Sequence, residues 1–183
     1  MELIKKKPYF SASNLGFLTS IGKSWEFKKR CLKEMDPEDF RLIIEYLESG
    51  QFGHQVVETD DQRLELLAQC GAAWSVADLL GMEDLLEHIV NKINHATPWE
   101  PEEVLILADL VYETPEALSL QAHTDMKDML AEFVARNFVD YITNHTKQFL
   151  DITDARLEFK ADVHEKIATI ARLDLEEQEK NDA

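Results

Sequence analysis

The chain has 183 residues, 45% of them hydrophobic and 30% charged, which describes about one globular domain with some length left over and excludes both a wholly disordered chain and a membrane bundle. Nineteen Lys and Arg against 36 Asp and Glu give a net charge of −17, a surface that repels a phosphate backbone and an anionic lipid headgroup alike, so neither nucleic acid nor membrane is an expected partner. The charge is uneven, because residues 1–33 hold eight basic and two acidic residues, which leaves the remainder at −23.

The first 35 residues lack helical regularity. Pro8-Tyr9-Phe10 can start a short helix, and Trp25-Glu26-Phe27 alternates as a strand does. Met1 runs straight into the charge of Lys5-Lys6-Lys7 without the apolar segment of a secretory signal, and the two cysteines, Cys31 and Cys70, lie far apart. A reducing compartment is therefore expected, cytoplasm or nucleus, in which the sequon Asn144-His145-Thr146 would be inert. The basic runs Lys5-Lys6-Lys7 and Lys28-Lys29-Arg30 are expected to meet acidic groups of this protein or a partner, with a nuclear address as the alternative.

Helical signals begin at Asp36-Pro37-Glu38-Asp39, where Asp36 can cap, Pro37 suits the first helical position and the acids complement the helix dipole. Phe40, Ile43, Ile44 and Leu47 follow at helical spacing, and Gly50 is the expected left-handed terminator. Residues 51–58 read as a turn and a short extended segment around Val56 and Val57. A second helix over 62–80 carries two apolar faces, Leu64, Leu67, Gly71 and Trp74 on one and Leu66, Cys70, Ala73 and Ala77 on the other, so it is expected to be buried, with Trp74 in the core. Gly81 breaks it, and Met82, Leu85, Leu86, Ile89, Val90 and Ile93 stripe the next helix.

Thr97-Pro98-Trp99-Glu100-Pro101 reads as a boundary at which Pro101 can begin a helix and Trp99 can act as a packing hinge. Val104, Leu107, Ala108 and Val111 continue the period until Thr114-Pro115. One further helix is expected from Met126 through Met129, Leu130, Phe133, Val134 and Phe138 to Tyr141, and a last one on Val163, Ile167, Ile170 and Leu173. The polar residues 176–183 read as a frayed, disordered tail. No internal repeat or low-complexity tract occurs.

Catalytic and metal motifs are not found in the spacing. His88 and His95 are seven apart, but Pro98 follows closely, and neither cysteine has a partner at zinc-finger distance. Residues 151–162 have acids but no Gly for a calcium loop, and Asp60-Asp61, Asp151 with Asp154, and Glu176-Glu177 read as caps and solvated faces. Ser11, Ser13, Ser20 and Ser24 lie in no nucleophile elbow, and no Gly-rich loop cradles a phosphate. The expectation is a non-enzymatic chain with no cofactor, no metal and no small-molecule substrate; the alternative is an enzyme or metalloprotein whose site is assembled from dispersed His and acidic residues.

Several of these segments together form a pattern. Asp36-Pro37-Glu38-Asp39-Phe40 followed by Ile43-Ile44-Glu45-Tyr46-Leu47-Glu48-Ser49-Gly50 resembles the third helix and following turn of BTB/POZ domains. The helices over 64–80 and 81–93 are similar to that family's final two in order and spacing, and Lys7-Pro8-Tyr9-Phe10 with Phe17-Leu18-Thr19-Ser20 to its Ser-Pro-aromatic-Phe helix and the segment after it. The resemblance covers roughly residues 5–95. Val104-Leu105-Ile106 and Tyr112-Glu113-Thr114-Pro115 look like the extension found on many fungal members.

The resemblance implies an α+β, mainly α-helical fold: a BTB/POZ-like domain over 1–95 without the family's opening hairpin and first helix, a helical extension over 96–175 and the tail. A truncated gene model or a degenerate domain would each account for the shortened start. It also implies a protein partner, either a second copy or a cullin scaffold, with the chain as an adaptor or oligomerisation domain. Cullin-recruiting members often carry a hydrophobic-x-Glu motif where this chain has Phe17-Leu18-Thr19, with Thr in place of Glu. Expected partner-binding residues are Phe17, Leu18, Thr19 and Tyr46. Strands near 25–27 and 56–58 are expected to present open edges, which invites a donated strand or poor solubility.

Overall fold

The computed structural model describes residues 18–21, 24–27, 37–53, 56–113 and 120–181. The protein is mainly α-helical and divides into two compact units, Met1–Ile93 and Asn94–Ala183. Among the described residues no helix is long and apolar enough to cross a membrane.

Among the described residues of unit 1 the first element is an antiparallel ladder of two four-residue strands, β1 (Leu18–Ile21) and β2 (Ser24–Phe27), in the register Leu18 to Phe27 and Ile21 to Ser24. Helix α1 (Pro37–Ser49) follows and packs on α2 (Asp60–Leu80). Its buried stripe is Leu42, Ile43, Tyr46 and Leu47, with Phe40 and Ile44 half-buried at the margins, so the core face is turned by about one position from the spacing expected. Gly50 ends α1 at a φ of 76°, its amide donating to the Tyr46 carbonyl at 2.7 Å. The expected Asp36 cap lies outside the described residues.

Val56–Glu58 forms no strand. The polar groups there serve a helix start instead of a ladder: the Glu58 amide donates to the Gln62 side chain, and the Thr59 hydroxyl accepts from the Gln62 amide as the N-cap of α2. That cap also moves the helix start back to Asp60. Both apolar faces of α2 are buried at Leu66, Leu67, Cys70, Ala73, Trp74 and Ala77, while Leu64, expected on one of them, is 52% exposed.

Gly81 turns the chain into α3 (Glu83–His95) with the 6→1 and 5→2 bond pair of a Schellman cap, Met82 amide to Ala77 carbonyl and Gly81 amide to Asp78 carbonyl. Its φ of 66° and ψ of 40° are left-handed, a region in which a Cβ costs roughly 1–2 kcal/mol. Met82, fully buried, closes the cap, and Leu85, Leu86, Ile89 and Ile93 form the buried stripe of α3.

Unit 2 contains α4 (Pro101–Glu113), α5 (Gln121–Arg136), α6 (Phe138–Asn144), α7 (Thr146–Ala155) and α8 (Leu157–Asn181). As the proline spacing predicts, Pro101 begins α4, and Glu103 reaches back to the Glu100 amide at 2.8 Å in the manner of a capping box. Helix α4 packs on α5 and α7, and α8 packs mainly on α5. The core joins Val104, Leu105, Ala108 and Val111 of α4 to Met126, Leu130 and Val134 of α5, with Tyr141, Phe149, Phe159 and Val163 from the later helices.

The single helix expected from Met126 to Tyr141 is two. Its break is at Asn137, whose backbone amide and side-chain amide both donate to the Phe133 carbonyl, so a local side-chain bond competes with the next helical turn. Helix α7 was not expected at all. The tail reads differently too: residues 176–181 continue α8, because Glu, Gln and Lys propagate a helix well even where no residue is buried.

Candidate interaction site

The expected partner-binding residues fall on separate elements. Phe17 lies outside the described residues, and Leu18 and Thr19 are neighbours on β1, opposite Phe27 and Glu26. Tyr46 is not an exposed anchor: it is 8% exposed on α1, its ring centroid 5.3 Å from that of His88 on α3. An anchor must reach a partner, and this ring belongs to the core instead. Burial, with the nearby carboxylates Asp84 and Glu87, pushes its phenol above the ordinary range, so Tyr46 stays neutral at any physiological pH.

Around His88 the chain builds an aromatic corner. Phe52, fully buried in the loop after α1, meets the His88 ring edge-on with centroids 5.7 Å apart. One turn further along α3, Lys92 Nζ donates to the Phe52 carbonyl at 2.7 Å and sits 5.0 Å from the centre of its ring. The ammonium thus holds the loop to α3 by a charge-assisted hydrogen bond and a cation–π contact. Cys70 is fully buried nearby, and burial raises its thiol to about 12, which leaves almost no thiolate at neutral pH.

His88 makes this corner sensitive to pH. Its Nε2 is buried with no hydrogen-bond partner among the described residues. Burial first, and the Lys92 charge second, lower its pKa from 6.5. A folded pKa below the unfolded one means that the unfolded chain takes the proton first as pH falls. This contribution to stability is complete above about pH 6.5 and is lost progressively below it. Urea midpoints should therefore fall on acidification, and His88→Gln should flatten that slope over the window just below pH 6.5. Equal slopes in both proteins would remove His88 as the cause.

The other sequence candidates are placed individually. Asp60 pairs with the buried Arg63 at 3.1 Å, Asp154 with Lys160 at 3.2 Å, and Asp151 is exposed. Trp74 is 1% exposed in the core of α2, and Trp99 is buried within unit 2, its ring centroid 5.1 Å from that of Phe133. Among the described residues no group of three or more His, Cys, Asp or Glu is placed to hold a metal ion.

Sequence spacing missed the outward edge of α5. Met129 and Phe133, expected in its core stripe, are only half-buried, and Asp125, Asp128, Glu132 and Arg136 share their side of the helix. The signal was present in the i, i+3, i+7 recurrence of the acids Asp125, Asp128 and Glu132 beside Met129 and Phe133, but their apolar character assigned both to the core. Compared with protein-family models, with curated proteins and with solved structures, the chain matches none.

Proposed function

We propose that the chain is a non-enzymatic protein–protein interaction module of the BTB/POZ type, α+β and mainly helical, with a helical extension, serving as an adaptor or an oligomerisation domain. The observation that carries this reading is the order of helices in unit 1. A helix opening on Pro37-Glu38 and closing at Gly50 is followed by a buried helix and then by an amphipathic one across a single left-handed glycine. That is the family's order for its last three helices.

Binding in this reading comes from apolar side chains buried against a partner, while the −17 charge steers association with basic surfaces. Phe17 and Leu18 remain the proposed anchors. Tyr46, occupied in the core, is not among them.

The test is a pull-down with the full chain as bait, read by quantitative mass spectrometry, beside the Phe17→Ala, Leu18→Ala double variant. Light scattering on both proteins reports self-association. Partners or a dimer lost in a variant that keeps the wild-type circular dichroism support the reading, and a cullin among the lost partners identifies the adaptor branch. A monomer that binds the same proteins with or without the two side chains overturns it.

A further inference from the structure

We infer that unit 2 carries a docking groove of its own for a basic, amphipathic segment of a partner protein. It does not rest on the BTB/POZ reading, since no residue of unit 1 takes part. The groove is open, about 760 Å³ in volume, with Trp99, Met129 and Phe133 as its apolar part and Asp125, Asp128 and Glu132 along α5 as its acidic part. A second cleft of about 300 Å³ between α5 and α8 shares Thr124 and Asp128 with it, so the two form one continuous surface.

Charge decides the occupant. Along the combined surface three cations are each matched by a carboxylate: Lys127 with Glu158 at 2.8 Å, Lys166 with Asp128 at 2.5 Å and Arg136 with Glu132 at 2.7 Å. Two more carboxylates, Asp125 and Glu165, form no ion pair among the described residues, and a third, Asp162, shares the Lys127 charge with Glu158. Asp125 accepts only from the Gln121 amide and Asp162 from the Tyr112 hydroxyl. An acidic or neutral segment would leave that excess uncompensated, whereas one carrying Lys or Arg would supply the missing cations.

The apolar part sets the remaining requirement. Trp99 and Phe133 stack in a tilted pair 5.1 Å apart, and Met129, unbranched and half-buried, can adapt to an inserted side chain. Met129 and Phe133 are half-buried in the free protein and become dry in the complex, while Trp99, already buried, backs the Phe133 ring. The segment must therefore offer a large apolar side chain flanked by basic ones, as one face of an amphipathic helix does.

A short fluorescein-labelled peptide with leucines at helical spacing and lysines between them serves as the probe, titrated with the full chain and read by anisotropy. The expected result is saturable one-to-one binding that weakens with salt and disappears when the lysines are replaced by glutamates. Met129→Glu and Asp125→Lys should each weaken it by roughly tenfold or more, while Met129→Leu should retain it and so control for folding. Asp174→Lys, an equal change of charge on α8 outside the groove, should leave affinity within about twofold. Equal losses in Asp125→Lys and Asp174→Lys would reduce the effect to net charge and overturn the proposal, as would full affinity in Met129→Glu or no binding at all. Self-association of the chain that Met129→Glu abolishes would replace the foreign segment with a second copy.

Discussion

Trp74→Ala should unfold most of unit 1 near physiological temperature. The indole is 1% exposed in the middle of α2, the helix on which α1 packs, and truncating a buried aromatic of that size costs about 3–5 kcal/mol. A domain has about 5–15 kcal/mol in total, so the variant retains a small margin at best. Cys70 supplies a local reporter one turn away, because its thiol is fully buried and raised to about 12, and it reacts only when the region opens. In a Cys31→Ser background the labelling rate of Cys70 should rise by roughly a hundredfold in Trp74→Ala, the equivalent of about 3 kcal/mol. Trp74→Phe, which keeps most of the volume, should fall between. Wild-type labelling and melting in Trp74→Ala would mean that α2 is not held by this side chain.

How much of this architecture the sequence could reveal depended on how much of each element is buried. Helices α1 and α3 carry four buried residues each at helical spacing, Gly50 ends α1 and Gly81 separates α3 from α2, so their existence was legible even though the face of α1 was displaced. Helix α7 buries only Phe149 and Thr153, a single turn's worth of signal, which no periodicity can separate from chance. The break at Asn137 was hidden because apolar residues continue across it from Leu130 to Tyr141. What interrupts the helix is a hydrogen bond to the Phe133 carbonyl, which has no period.

The same reasoning explains the site. Residue type says that Tyr46 is a good anchor and that Met129 and Phe133 are good core, but type does not say which edge of a helix a neighbour covers. His88 burying Tyr46 is a contact between α1 and α3, and the half-burial of Met129 and Phe133 follows from how α4 and α8 sit on α5. Charge was more transparent. The acidic excess read from composition reappears as a row of carboxylates along α5 and α8, where it acquires a position.

Phe159→Ala is expected to release the first turns of α8 from unit 2. Phe159 is fully buried, its ring 5.1 Å from that of Tyr112, and with Val163 it makes up the buried apolar contribution of α8 among the described residues. Nothing further along can compensate, since residues 171–180 are all exposed. The truncation should cost about 3–5 kcal/mol, against about 1 kcal/mol for each polar contact that remains. Those contacts include the Tyr112 hydroxyl donating to Asp162 at 2.8 Å and the Lys127–Glu158, Lys166–Asp128 and Lys160–Asp154 pairs, none of which replaces the apolar anchor. Burial also raises the Asp162 carboxyl, so docking of α8 disfavours its ionised form. Amide hydrogen exchange resolved by residue should show α8 losing protection ahead of α4 and α5 in Phe159→Ala. Tyr112→Phe, which keeps the ring and deletes the hydroxyl, should shift the melt far less. If Tyr112→Phe proves the more damaging of the two, α8 is held by its hydrogen bonds and not by its apolar face.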